Sequence, residues 1–258
     1  YGHGIERVYA GLRGADGFLI GTGLMRNSED FPAFSAFSDY FRSEGCFLFK
    51  ACGIRTAEMF TALSVSRGAK EAPGPDLIGI NFSPVSKRRI DAAALEKLEN
   101  PSIFTHAVAV FYKNTETEIR EILAQYPFRA VQLYAGDVTP AFVRSLRQRV
   151  LLAVRIDPAL PWESTFESQV EPYAADVDFF LLDGAAPGSG QRIGTAIPAD
   201  FPYPFLLAGG LNTGNLDAVQ GLKNCIGVDI ASGIETDGAV DLQKIKAVAE
   251  RLSRIRPD

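Results

Sequence analysis

Eight short apolar runs, at residues 47–52, 77–82, 107–112, 130–133, 151–155, 179–183, 205–208 and 227–230, constrain this chain more than any other feature. Runs of Val, Ile, Leu and Phe this short and this continuous are the signature of parallel strands buried on both faces. The periodic segments between them, at 56–66, 92–98, 115–125, 141–149, 165–173, 213–221 and 242–255, read as connecting helices. Thr115 and Thr139 stand where helix N-caps belong, and Asp91 offers a cap before Ala92. The stretch after Asp183 is rich in Gly, Pro and Ser, and is expected to form a long functional loop with at most one short helical turn.

Strand–helix repeats of this number and size predict an α/β fold, a (β/α)8 or TIM barrel spanning 46–258 with a short N-terminal appendage at 1–45. An open doubly wound sheet is the alternative the pattern leaves standing. The barrel is favoured by where polar residues fall: Cys52, Arg88, Asp183, Gly209-Gly210 and Ser232-Gly233 all lie just after strands. In a closed ring those tips share the rim on which this architecture builds its active sites.

Several function classes are disfavoured. Net charge is −5, and Lys87-Arg88-Arg89 is the one basic cluster that stands out, so neither a nucleic-acid groove nor a membrane patch is expected. No apolar run approaches a membrane span. The three cysteines, Cys46, Cys52 and Cys225, form no C-x-x-C pair, which argues against a zinc site or a disulfide framework and fits a reducing cytoplasm. With only His3 and His106, the latter read as a strand-entry residue, neither a Ser-His-Asp triad nor a metal centre is expected.

Taken singly, Cys52 reads as a small buried hydrophobe and Asp183 as a helix cap; delivered to one rim, a thiol and a carboxyl make a base and acid pair. The glycines of 206–212 and 228–235 follow the seventh and eighth strands, where barrels commonly bind phosphate through main-chain N–H groups. An unperturbed thiol titrates near about 8.5 and an aspartate near about 3.9, so each begins mostly in the wrong state for proton transfer at neutral pH. Burial is expected to raise Asp183, and backbone N–H groups to stabilise a Cys52 thiolate.

An ordered set of motifs carries a resemblance: Lys50-Ala51-Cys52-Gly53-Ile54, Asn81-Phe82-Ser83-Pro84-Val85-Ser86-Lys87-Arg88, Ala109-Val110-Phe111, Val131-Gln132-Leu133, Leu181-Leu182-Asp183, Gly188-Ser189-Gly190, Leu207-Ala208-Gly209-Gly210-Leu211 and Val228-Asp229-Ile230-Ala231-Ser232-Gly233-Ile234-Glu235. In order and spacing the set resembles the phosphoribosylanthranilate isomerase family. The resemblance implies a cofactor-free Amadori rearrangement of a phosphorylated aminosugar in tryptophan biosynthesis. It implies Asp183 as the acid that opens the ribose ring and Cys52 as the base that takes the C2 proton. Arg88 is implied as the partner of the anthranilate carboxylate, and Gly209, Gly210, Ser232 and Gly233 as part of the phosphate site. The chain departs from the family at Leu133-Tyr134-Ala135-Gly136, where Leu-His-Gly is usual, at Pro187, and at Arg55-Thr56. These departures bear on substrate fit, and they leave open a related barrel acting on another aminosugar phosphate, or a noncatalytic domain of a decayed fusion.

Residues 1–45 do not belong to this barrel. Gly2-His3-Gly4-Ile5 and the segment 14–26, with Gly21-Thr22-Gly23, resemble the C-terminal part of indole-3-glycerol-phosphate synthase. That resemblance implies a remnant without synthase activity, covalently fused ahead of the isomerase in a longer polypeptide; opening on Tyr1 rather than Met fits such a piece.

Overall fold

The computed structural model describes residues 47–66, 74–90, 92–97, 104, 106–157, 159–184, 197 and 201–255. The expected synthase-like segment 1–45, the Asp91 cap, Pro187 and the Gly188-Ser189-Gly190 loop lie outside the described residues. Strands β1 (Leu48–Cys52), β2 (Leu77–Asn81), β3 (Ala107–Val110), β4 (Ala130–Tyr134), β5 (Arg149–Ile156), β6 (Phe179–Gly184), β7 (Phe205–Ala208) and β8 (Cys225–Ile230) form one closed barrel in chain order. All eight pairings are parallel, and β8 returns to β1 with Lys50 opposite Asp229. The open-sheet alternative is thereby eliminated.

Helices α1 (Ala57–Ser66), α2 (Ala92–Glu96), α3 (Glu116–Gln125), α4 (Pro140–Ser145), α5 (Trp162–Thr165) and α6 (Leu242–Leu252) connect or follow the strands. Thr115 caps α3 through a reciprocal box, its hydroxyl accepting from Glu118 N–H at 3.2 Å while its own N–H donates to the Glu118 carboxylate at 2.7 Å. Thr139 caps α4, accepting from Phe142 N–H at 3.1 Å.

Three expected helices are shorter or tighter than their sequence patterns. The helix read at 141–149 stops at Ser145, because Arg149 already belongs to β5, where Asp178 holds its guanidinium at 2.9 Å and the Val150 N–H at 2.8 Å. The segment 165–173 changes pitch twice, through a π turn at Phe166–Val170 and a 3-10 turn at Glu171–Tyr173, where Pro172 has no N–H to continue an α ladder. The helix read at 213–221 is reduced to one 3-10 turn, Leu216–Val219.

Strand periodicity divides the core in two. Phe49, Ala51, Ile78, Ile80, Ala109, Val131, Leu152, Phe180, Leu207 and Val228 face outward and pack with helix residues such as Phe60, Ile119, Val143, Ile245 and Val248. The alternate positions face the lumen. Its floor is apolar, with Leu48, Leu77, Val108, Leu151, Phe179 and Leu206 in one cluster. One or two steps nearer the strands' C-terminal ends the same lumen-facing series turns polar, at Lys50 and Cys52 of β1, Gln132 and Tyr134 of β4, Arg155 of β5, Asp183 of β6 and Asp229 of β8. That change from hydrocarbon floor to polar mouth places the site.

Candidate active site

Cys52 ends β1 and points into the barrel opposite Gly79 of β2. The missing side chain of Gly79 makes room there: a Cβ on it would lie 2.7 Å from the Cys52 Sγ and 3.2 Å from the Lys50 Nζ. Sulfur and ammonium therefore converge on one point. Burial pushes the Cys52 thiol above its ordinary value; Lys50, Arg88 and the Gly53 N–H pull it back, and Asp229 pushes it up. The expectation of a thiolate stabilised by backbone N–H groups is corrected to this extent. An N–H does face the sulfur, but desolvation outweighs it in the free protein.

Asp183, near the end of β6 and opposite Arg155 of β5, shows the shift expected of it. Burial, with the Asp229 charge adding to it, raises its carboxyl to about 6 against the opposing influence of Arg155 and Lys50. Roughly a tenth of such a group is protonated at pH 7, more than a hundredfold above an unperturbed aspartate. Cys52 and Asp183 share one chamber, since both charges act on the Tyr134 phenol and both groups feel Asp229 and Lys50. Cys225, the other described cysteine, belongs to the outward-facing core, and burial pushes its thiol up to about 12. It is an inert core residue, the role first open to Cys52 as well.

Arg88 reaches the rim from the loop after β2 and is clamped in place. Its Nε donates to one Glu235 oxygen at 2.6 Å and its Nη2 to the other at 2.7 Å. This side-on fork leaves the outer Nη1/Nη2 edge free to meet a second carboxylate. The hydrogen bonds to Glu235 hold Arg88 above its usual range, and the same bonds hold the Glu235 carboxyl below its own. From beneath, Gly53 completes the seat. Its φ is +92°, and a Cβ there would come within 2.7 Å of the Arg88 Cδ. Gly53→Ala should therefore cost on the order of 1–2 kcal/mol from backbone strain and displace Arg88. Thermal unfolding of the variant checks this, an unchanged midpoint being the contrary result.

Gly209 and Gly210 follow β7 with φ values of +90° and +65°, which lets the chain turn at the tip. A Cβ at Gly210 would meet nothing within 4 Å, so its outer side is open. Ser232 and Gly233 open a 3-10 turn after β8, and a side chain on Gly233 would collide with the Leu211 carbonyl. The two glycine loops are thus packed against each other, between the tips that carry Asp183 and Cys52 in the order β6-β7-β8-β1.

Sequence reasoning missed the residues beneath and around this pair. Lys50 has no solvent exposure, and its ammonium donates to Gln132 Oε1 and Asp229 Oδ1, each at 2.7 Å. Gln132 passes the link on through its amide to the Tyr134 hydroxyl at 3.3 Å. Tyr134, the last residue of β4, packs on Tyr112 with ring centroids 4.8 Å apart, and the Arg155 guanidinium lies over both rings. A lysine inside the apolar run Phe47-Leu48-Phe49-Lys50-Ala51-Cys52 was the available signal, because an unpaired lysine is almost never fully buried. Among the described residues no group of His, Cys, Asp and Glu could hold a metal ion, and no helix is long and apolar enough to cross a membrane.

Comparison with known proteins follows the geometry. The family model described as N-(5'-phosphoribosyl)anthranilate (PRA) isomerase matches residues 49–251. The N-(5'-phosphoribosyl)anthranilate isomerase of Brevibacillus brevis is 34% identical over 214 residues, which cover 79% of this chain and 92% of that protein. That of Neisseria meningitidis serogroup A is 31% identical over 215 residues, 80% of this chain and 97% of that protein. The solved phosphoribosyl anthranilate isomerase from Thermococcus kodakaraensis is similar in structure at 25% identity, with a TM-score of 0.63, covering 81% of this chain and 99% of that one.

Proposed function

The chain belongs to the N-(5'-phosphoribosyl)anthranilate isomerase family, and from that membership we propose how its own residues carry the reaction. The enzyme converts N-(5-phosphoribosyl)anthranilate to 1-(2-carboxyphenylamino)-1-deoxyribulose 5-phosphate, a step of tryptophan biosynthesis. Asp183 in its carboxylic acid form gives its proton to the ribose ring oxygen, the C1–O bond breaks, and the nitrogen lone pair forms the Schiff base. Cys52 as thiolate then takes the C2 proton. The electrons of that C–H bond become the C1–C2 double bond while the C–N π pair returns to nitrogen, and the resulting enamine tautomerises to the ketose. The observation that carries this reading is the convergence of Cys52 and Asp183 on one lumen, beside the paired glycine loops of β7 and β8. Those loops hold the phosphate through Gly209, Gly210, Ser232 and Gly233, and so keep the sugar in place while acid and base act in turn.

Arg88 grips the anthranilate carboxylate with its free edge, and Glu235 fixes that edge from the side. Glu235→Gln removes the charge that orders the fork; KM should rise about tenfold while kcat stays within about threefold, since the contact serves ground and transition states alike. Steady-state kinetics distinguish this from a fall in kcat with KM unchanged. Residues 1–45 are the end of a preceding synthase barrel, a reading supported by the Gly21-Thr22-Gly23 motif and by a family match that begins only at residue 49. The function is tested by expressing the chain in a tryptophan auxotroph that lacks only this isomerase. Growth without tryptophan is expected, and soluble expression without growth would contradict the reading.

A further inference from the structure

Lys50 lies two residues before Cys52, on the same face of β1, with its ammonium sealed from solvent. An ammonium has three hydrogens to place. Gln132 Oε1 from β4 and Asp229 Oδ1 from β8 take two of them, each at 2.7 Å. The remaining direction is set by the gap at Gly79, toward which Nζ and the Cys52 Sγ both project. We propose that Lys50 is a positioning residue for Cys52, its third hydrogen directed at Sγ so that a fixed cation accompanies the sulfur whenever it carries negative charge.

The physical need is plain. A thiolate created in a desolvated strand tip has no water to solvate it, and a charge-assisted N–H is the strongest substitute a protein can offer. A buried lysine ordinarily loses its proton; burial does lower this one, but Asp229 and Cys52 together outweigh it and hold Lys50 above its usual range. Asp229 therefore keeps the cation charged, and Gln132 fixes its direction. The other groups acting on the sulfur are the Asp229 carboxylate of β8, which raises the thiol, Arg88 from the loop after β2, the Gly53 N–H and the Tyr134 phenol. Arg88 is already engaged by Glu235, and Tyr134 stays a neutral phenol because burial and the surrounding carboxylate and thiolate charges push its pKa up. Lys50 is left as the cation committed to the sulfur. When Cys52 takes the C2 proton it becomes a neutral thiol, while Lys50 keeps all three protons and its pair with Asp229.

This inference rests on Cys52 being the base, and the experiment separates the two. Lys50→Met is compared with Lys50→Met/Asp229→Asn, which leaves no orphaned carboxylate and stays informative where the single variant fails to fold. In each, the pH midpoint of Cys52 alkylation by iodoacetamide is followed on the Cys52 peptide by mass spectrometry, beside steady-state kinetics. The midpoint should move up by about one unit or more in the single variant and by less in the double variant, where loss of the Asp229 charge offsets part of the rise, and in both kcat should fall by on the order of 100-fold with KM within about threefold. An unmoved midpoint with near-normal kcat in the folded double variant would overturn the proposal. Turnover surviving in Cys52→Ala would instead refute the assignment of the base, while the alkylation midpoint still reports on the Lys50–Cys52 contact.

Discussion

Cys52→Ala should lower kcat by about a thousandfold while binding of a product analogue changes by less than about threefold. The size of the loss follows from what the sulfur does. Removal of a proton by a positioned base is commonly worth a factor of about 10² to 10⁴. Binding is spared on the proposed arrangement, in which phosphate and carboxylate are held elsewhere, by the β7 and β8 loops and by Arg88. Cys225→Ala serves as the control. That sulfur is buried in the outward-facing core, so its removal should cost a little stability and leave kcat unchanged. Equal loss of kcat in both variants, or normal turnover in Cys52→Ala, would contradict the assignment.

Asp183→Asn should abolish turnover to a similar extent and yet make the folded protein more stable above pH 6. An amide cannot deliver the proton that opens the ring. The stability gain follows from linkage. Burial raises the carboxyl to about 6 from an unfolded value of 3.8, so between those pH values the folded state holds more protons than the unfolded one. Stability therefore falls as pH rises through that window, and the neutral amide escapes the loss. The gain should be absent near pH 3.5, grow between pH 4 and 6, and level off above at on the order of 3 kcal/mol, several degrees in melting temperature. In the wild type Asp183 must be protonated and Cys52 ionised while the thiol titrates above the carboxyl, so kcat/KM should rise with pH to about 6, stay level until the thiol titrates and fall beyond that. Thermal melts of both proteins from pH 3.5 to 8 test the sign; a variant less stable at pH 8 would show that the ionised carboxylate is well satisfied in the fold.

Much of this site was legible in the sequence, and its foundation was not. The apolar runs gave the strands, and residues that break hydrophobic character at a strand's end, such as Cys52 and Asp183, announce a rim. Alternation along a strand assigns a face, so Lys50 and Cys52 share the lumen by parity alone. What it does not assign is a partner: Lys50 meets residues 82 and 179 positions away, and a single sequence carries no trace of those pairings. The same blindness hid Glu235, which holds Arg88 across 147 residues. It also concealed the direction of the Cys52 shift, since the balance between burial and neighbouring charge depends on distances. The helices failed where a neighbouring strand claimed their residues, as β5 claims Arg149, or where Pro172 broke the ladder.

Tyr134, Tyr112 and Arg155 form a coherent wall at the mouth rather than scattered departures. The Arg155 Nη1 donates to the Tyr112 hydroxyl at 2.8 Å, and its guanidinium covers the faces of both rings. The tyrosine that ends β4 is thus accommodated by neighbours that stack on it, while its hydroxyl joins the amide that aims Lys50.

The most direct test is a crystal structure with a reduced, unreactive product analogue bound. The Cys52 Sγ should lie within about 4 Å of sugar carbon C2 and the Asp183 carboxyl within hydrogen-bonding reach of the oxygen that was in the ring, with the phosphate on the β7 and β8 loops. A sugar bound with its phosphate on those loops but with either group on the far side of the mouth would contradict the mechanism outright.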